Sequence, residues 1–296
     1  MGMTRIIRPR RLTVVLAAGA LILAACGDDS TAPVGTQPGD TIALPDGTTP
    51  PTTVPAPDAF EHPTASDEFV VEITYEGGFV PVDYQFAQIP TLLVAGDGQQ
   101  YVPGPQIAIY PGPLLPNVQV ADIGEEGIQT LLALAAEHGL LTVREYESPT
   151  NIADAPDTVV TIRANGGTYT HRAYALGLDP GLDGNGGEIG DRAELAAFIE
   201  AATAVAPDIP QEPFGPGTYL VRATPIGDLG GFDLEPTLVA WPATAPVRLA
   251  DAGECSAVAA TDGDPLFATA NQLTFFTEAG VTYRLSVKPQ LPGDTC

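Results

Sequence analysis

The chain has 296 residues, ordinary apolar content (44%) and a net charge of −25, so it is long enough to bury one large core or two small ones. That charge opposes nucleic-acid phosphates and anionic surfaces, which removes nucleic-acid binding from the functions to consider. Thirty prolines and 32 glycines exceed average usage and predict many turns and at least one unfolded stretch.

The first eleven residues hold four arginines (Arg5, Arg8, Arg10, Arg11) and no acid, and the run from Leu12 to Ala25 is apolar apart from Thr13 and Gly19. A spanning helix needs about 20 such residues, and this run has 14. A basic start followed by a short apolar run is the pattern of a secretory signal peptide. Leu23-Ala24-Ala25-Cys26, followed by Gly27 and two aspartates, resembles the lipobox of bacterial lipoproteins. The resemblance implies cleavage before Cys26 and a diacylglycerol on its sulfur, with attachment to the outer face of the cell membrane. Removal of the leader leaves eight bases against 37 acids, a net charge of −29. The alternatives are a chance cysteine behind an ordinary secretory signal, or an uncleaved anchor.

Residues 26–66 follow as a stalk. Between Gly27 and Ser66 there are eight prolines, eight threonines and six acids among few large apolar groups. Such a segment cannot offset its chain entropy by burial. As a coil its ends would lie roughly 35 Å apart, and about 120 Å in a polyproline conformation.

Folded sequence is expected from residue 67, with a first strand at Phe69–Tyr75 that stops at Gly77-Gly78. Gly96-Asp97-Gly98 and Asn165-Gly166 sit between β-rich runs as hairpin turns, and Glu278-Ala279-Gly280 makes a third. Pro103-Gly104-Pro105 and Pro111-Gly112-Pro113 bracket a short strand expected at Gln106–Tyr110. Prolines there protect a sheet edge; the other reading is an exposed aromatic-proline surface that holds a partner peptide. Ile128, Leu131, Leu132, Ala135 and Ala136 recur at helical spacing, with Asp122 as the cap and Gly139 as the stop. Asp191 and Glu194 form a capping-box-like pair ahead of Leu195, Phe198, Ile199 and Ala202. These elements predict an α+β fold, a largely antiparallel sheet with two main helices. Residues 207–217 read as a linker. The domain plan is therefore a signal peptide (1–25), a stalk (26–66), an α+β domain (67–210) and a C-terminal β-rich subdomain (211–296).

With Cys26 taken by lipid, Cys255 and Cys296 remain, an even pair in an oxidising compartment, and a disulfide between them is expected. Two free thiols are the alternative. No G-x-S-x-G elbow surrounds any of the five serines. His138 falls at a helix end, where the dipole accounts for it, and His62 lies in the stalk. His171 falls on a strand, as a general base or, far more commonly for such a position, as a residue facing solvent or a core partner. The loop Asp179–Asp191 carries oxygen ligands among glycines, and Asp179, Asp183, Asn185, Glu188 and Asp191 are the candidate ligands for Ca²⁺. Counted from Asp183, Glu194 takes the twelfth position of an EF-hand, but Gly187 and Glu188 stand where that motif wants a ligand and a glycine. A polar loop ahead of a capped helix is the plainer reading, and no cofactor is implied.

Several stretches carry a resemblance over Phe69–Cys296: Glu76-Gly77-Gly78-Phe79-Val80-Pro81, Gly96-Asp97-Gly98, Gly127-Ile128-Gln129, Ala270-Asn271-Gln272-Leu273-Thr274, Thr282-Tyr283-Arg284-Leu285 and Pro289-Gln290-Leu291-Pro292. The chain resembles a group of lipoproteins and secreted proteins from high-GC Gram-positive (actinobacterial) bacteria to which no activity is attached. The resemblance implies export, anchoring and the Cys255–Cys296 pair, and it carries over no catalytic residue. The resulting expectation is a non-enzymatic, lipid-anchored envelope protein, a binding or structural module with an envelope protein or glycan as partner. The rival readings are an extracytoplasmic hydrolase using His171, and a Ca²⁺-dependent adhesion or sensing module.

Overall fold

In the computed structural model, which describes residues 59–178 and 188–296, the three turn motifs each join a pair of antiparallel strands. The leader, Cys26, residues 27–58 and the loop 179–187 lie outside the described residues. In chain order the elements are β1 (Phe69–Gly77), α1 (Val82–Ala87), β2 (Leu92–Ala95), β3 (Gln99–Pro103), β4 (Val118–Asp122), α2 (Gly124–Glu137), β5 (Pro156–Ala164), β6 (Gly167–Tyr174), α3 (Gly190–Thr203), β7 (Glu212–Pro213), β8 (Thr218–Ile226), β9 (Thr237–Ala240), β10 (Ser256–Ala259), α4 (Ala260–Phe267), β11 (Thr274–Glu278) and β12 (Val281–Pro289).

The protein is α+β. Seven strands form an antiparallel sheet in the order β6-β5-β1-β2-β3-β4-β7. Five form a mixed sheet in the order β10-β8-β12-β11-β9, with β9 and β11 parallel. Asn165 (φ 52°) and Gly166 close β5 onto β6 in a two-residue turn, pairing Ala164 with Gly167. Both central residues have positive φ, the conformation whose twist suits a hairpin. Ala279 (φ 50°) and Gly280 do the same for β11 and β12.

The side chains of β1 alternate. Val71 and Ile73 join Leu92, Val94, Val160 and Ile162 on the face covered by α2 and α3, where Ile128, Leu131, Leu132, Leu195 and Phe198 are all buried. Each such side chain contributes about 1.5–3 kcal/mol of burial. The other face holds a smaller cluster of Phe69, Leu93, Tyr101, Val118 and Leu291. The second sheet has its own core around Trp241, Phe267 and Phe276, whose rings pack edge-on or stacked.

Several details differ from the sequence expectation. Asp122 does not take the cap position of α2: Ile123 does, with no side-chain cap, while Asp122 accepts the Gly124 N–H from one residue further out. At the far end Gly139 (φ 69°) stops the helix, with Leu140 and Gly139 N–H groups returning to Ala135 and Ala136. The capping box at α3 does not form, because Asp191 binds Arg144 and Glu194 binds His138. The expected linker supplies β7, paired to β4 at Gln119 and Val120.

Residues 59–62, assigned by composition to the stalk, lie pinned to the domain. Gln129 bonds both the N–H and the C=O of Phe60, and Asn165 does the same for Glu61. His62, 4% exposed at its side chain, places Nε2 3.1 Å from Glu125. Hydrogen bonds from His62 and Gln129 hold the Glu125 carboxyl below its usual range.

Candidate functional site

Three constellations decide what the domain is equipped to do. The first surrounds His171 on β6, which is fully buried. Its Nε2 lies 2.9 Å from the Leu140 carbonyl, which can only accept, so Nε2 carries the proton. The bare Nδ1 then accepts from the Tyr146 hydroxyl at 2.8 Å. Burial pushes the Tyr146 phenol up to about 12, which keeps that proton in place, and burial lowers the His171 imidazole below 6.5. Both ring nitrogens are spent inside the core, and no carboxylate is among their bonded partners. His171 therefore lacks the cleft, the carboxylate and the free nitrogen that a general base needs.

The second lies at the start of α3. Arg192 is buried and donates to both oxygens of Glu188 (2.6 and 2.8 Å). It also bonds the carbonyls of Glu147, Tyr174 and Ala175. Burial alone would raise Glu188, but the Arg192 bonds, the Gly177 N–H and the guanidinium charge outweigh it, holding the carboxyl low. Asp191 accepts from Arg144 at 2.7 Å. Of the five candidate Ca²⁺ ligands, Asp179, Asp183 and Asn185 lie outside the described residues, and Glu188 and Asp191 are each occupied by an arginine. Among the described residues no cluster of three or more His, Cys, Asp or Glu side chains is placed to hold a metal.

The third is a groove of about 830 Å³ between α1, the end of β1 and the 103–117 segment. The two Pro-Gly-Pro motifs do not bracket a strand: Gln106–Tyr110 has no strand structure. Nor do they guard an edge, since β3 is paired on both sides. They instead make a rigid wall, tied down at both ends. Gly104 donates to the Asn117 carbonyl while the Asn117 amide donates to Pro105; a Cβ at Gly104 would stand 2.6 Å from Asn117, so only glycine permits that approach. At the other end Gly112 and Gln272 exchange bonds, and Pro113 bridges Asn271. Across the groove, Asp83 of α1 accepts from Thr224 of β8, which ties the short helix to the second sheet.

Among the described residues, none lining this groove carries a charge at neutral pH, in a chain with 49 acidic and basic residues. Tyr75, Tyr84, Ile107 and Ile109 line it with 40%, 61%, 65% and 61% of their surface exposed. Of the exposed large hydrophobic side chains among the described residues, eight of fourteen fall in the two flanking segments, 75–84 and 107–110. These exposed apolar side chains are clustered rather than scattered singly over the surface. Composition concealed it because its walls come from residues about 30 and, through Gln272, 160 positions apart.

Cys255 and Cys296 form the expected disulfide, Cα atoms 5.3 Å apart. None of the helices among the described residues is long and apolar enough to cross a membrane. No protein family model, no curated protein and no solved structure matches the chain.

Proposed function

We propose that the chain is exported, lipidated at Cys26 and held on the outer face of the cell membrane, where its folded domain captures a partner in the groove between α1 and the 103–117 segment. The observation that carries this is the uncharged, aromatic-lined groove with its exposed isoleucines. Exposed apolar surface costs solubility, and a strongly acidic chain has charged residues available to cover it; a concave, apolar, pre-formed surface is the ordinary architecture of a binding site. The His171 and Arg192 constellations are engaged in holding the fold, whereas the groove keeps unspent apolar and hydrogen-bonding surface. The basic leader and the tetrapeptide ending at Cys26 support the location, and the excess of acids fits a domain that stays clear of anionic surfaces.

The test is a pull-down from detergent-solubilised envelope with the wild-type chain and an Ile107→Asp/Ile109→Asp variant as baits. Both positions are more than half exposed, so the variant should fold. Partners retained by wild type and lost by the variant support the reading; identical retention by both contradicts it. Replacement of Cys26 by Ala should move the protein to the soluble fraction, and retention at the membrane would refute the anchor.

A further inference from the structure

We infer that the occupant of this groove is an uncharged, proline-rich peptide segment of another envelope protein, held in the polyproline II conformation. The inference rests on the groove being the binding site and adds the class of its ligand.

Charge is the first discriminator. A ligand bearing carboxylates or amines would enter a groove with no counter-charge among the described residues and lose hydration without compensation. The ligand is therefore neutral. Exposed Ile107 and Ile109 and the partly buried Leu114 and Leu115 give the lining an aliphatic character that suits side chains of a peptide. A glycan, whose surface is dominated by hydroxyls, would leave that aliphatic lining uncovered.

The wall then selects the conformation. An extended peptide can join a sheet edge only where backbone N–H groups run in register, and Pro103, Pro105, Pro111, Pro113 and Pro116 remove those groups from this wall. Recognition must run through side chains. A polyproline II strand suits that requirement: its carbonyls point outward unpaired, its prolines need no acceptor, and its ordering cost is low before it binds. The groove supplies donors for such carbonyls. Asn117 spends its amide on the wall itself and Gln272 only its carbonyl oxygen, which accepts from Gly112. The Tyr75 and Tyr84 hydroxyls and the side-chain N–H groups of Gln88, Gln106 and Gln272, all in the lining, have no hydrogen-bond partner among the described residues. Tyrosine faces beside these donors give proline rings a surface to stack on.

The lining also offers no basic residue to anionic lipid headgroups among the described residues. The chain enters the domain at Ala59–His62, beside Asn165, at the Phe69 end of β1, where Val71 pairs with Ile162. The groove lies at the other end, at Tyr75, roughly 20 Å along the strand. The groove and the chain's point of entry therefore lie at opposite ends of β1.

The test is fluorescence anisotropy with the full mature-length chain (Cys26→Ala, leader removed) and a capped, uncharged, proline-rich peptide about ten residues long. Saturable binding is expected, weakened about tenfold or more by Tyr84→Ala, several-fold by Tyr84→Phe, and unchanged by Val143→Ser, a position 84% exposed on another surface. Circular dichroism verifies that each variant folds. Equal affinity for the same peptide with its prolines replaced by alanine would overturn the inference. So would binding of a neutral linear oligosaccharide that Tyr84→Ala abolishes, or no binding of the proline-rich probe. If the probe fails while Ile107→Asp/Ile109→Asp still loses envelope partners, the peptide class falls and the groove stands; if that variant loses nothing, both fall.

Discussion

Replacing Arg192 with Met removes a guanidinium whose side chain is 4% exposed and strands a carboxylate, Glu188, that is 7% exposed. Methionine keeps most of the stem volume, so the loss is electrostatic rather than a cavity. Breaking one half of a buried pair costs about 3–5 kcal/mol, because the remaining charge keeps only the Gly177 N–H at 2.7 Å among the described residues. The doubly substituted Arg192→Met/Glu188→Met chain removes the stranded charge and should recover about 2 kcal/mol. It will not recover all of it, since the carbonyls of Glu147, Tyr174 and Ala175 lose their donor and each dry carbonyl costs about 1–3 kcal/mol. Urea unfolding followed by circular dichroism measures all three chains. Acid adds a second readout. Glu188 is held below its unfolded value of 4.5, so its contribution is complete above that pH and is lost as pH falls through the lower folded value. The wild-type advantage over Glu188→Gln should shrink over that window. An Arg192→Met penalty under about 1 kcal/mol would refute the account of a structural pair, and with it the reason Glu188 is unavailable to a cation.

Other outcomes follow from the same geometry. Removing the disulfide with Cys255→Ser/Cys296→Ser opens a loop of 41 residues and should cost about 4 kcal/mol on urea unfolding; a loss below 1 kcal/mol would mean the tail is held by packing alone. Burial lowers the His171 imidazole, so the unfolded chain binds the extra proton first. Stability should be flat above about pH 6.5 and fall below it, and a ring titration by NMR with a midpoint at or above 6.5 would contradict that. Glu72 is raised by burial and then by Asp294, so its ionised form weakens the fold above the raised folded value and the penalty fades as pH falls toward 4.5. Glu72→Gln should raise Tm by a few degrees at pH 7.5 and by nothing below pH 4. Calcium at millimolar concentration should leave Tm unchanged, because Glu188 and Asp191 are already paired with arginines; a calcium-dependent rise would show those pairs give way to the cation.

The hairpins at Gly96-Asp97-Gly98, Asn165-Gly166 and Glu278-Ala279-Gly280 were legible because turn chemistry is local, and α2 and α3 because their buried faces repeat at helical spacing. The disulfide followed from parity. Elements whose existence depends on distant partners were not legible. β7 is two residues long and exists only because β4 offers an edge. α4 contains Gly263 and Pro265, which argue against a helix, yet Gly263 is where the Tyr219 and Phe267 rings press closest. Residues 59–62 belong with the folded domain because Phe60 is tied by Gln129, 69 positions away. His171 reads the same on a strand whether it faces water or the core; only Leu140 and Tyr146, from the segment after α2, decide it. The groove was the hardest to see, since proline-glycine motifs that suggest edge protection in isolation become the wall of a groove only when Asn117 and Gln272 fix both ends.

A photo-reactive side chain at Ile107, introduced in the lipidated chain in intact cells, tests capture at the groove without prior purification. The account predicts a discrete cross-linked adduct at position 107, lost when Tyr84 is replaced by Ala, and none from the same probe at Val143. Adducts of equal yield at both positions, or none at 107, would contradict it.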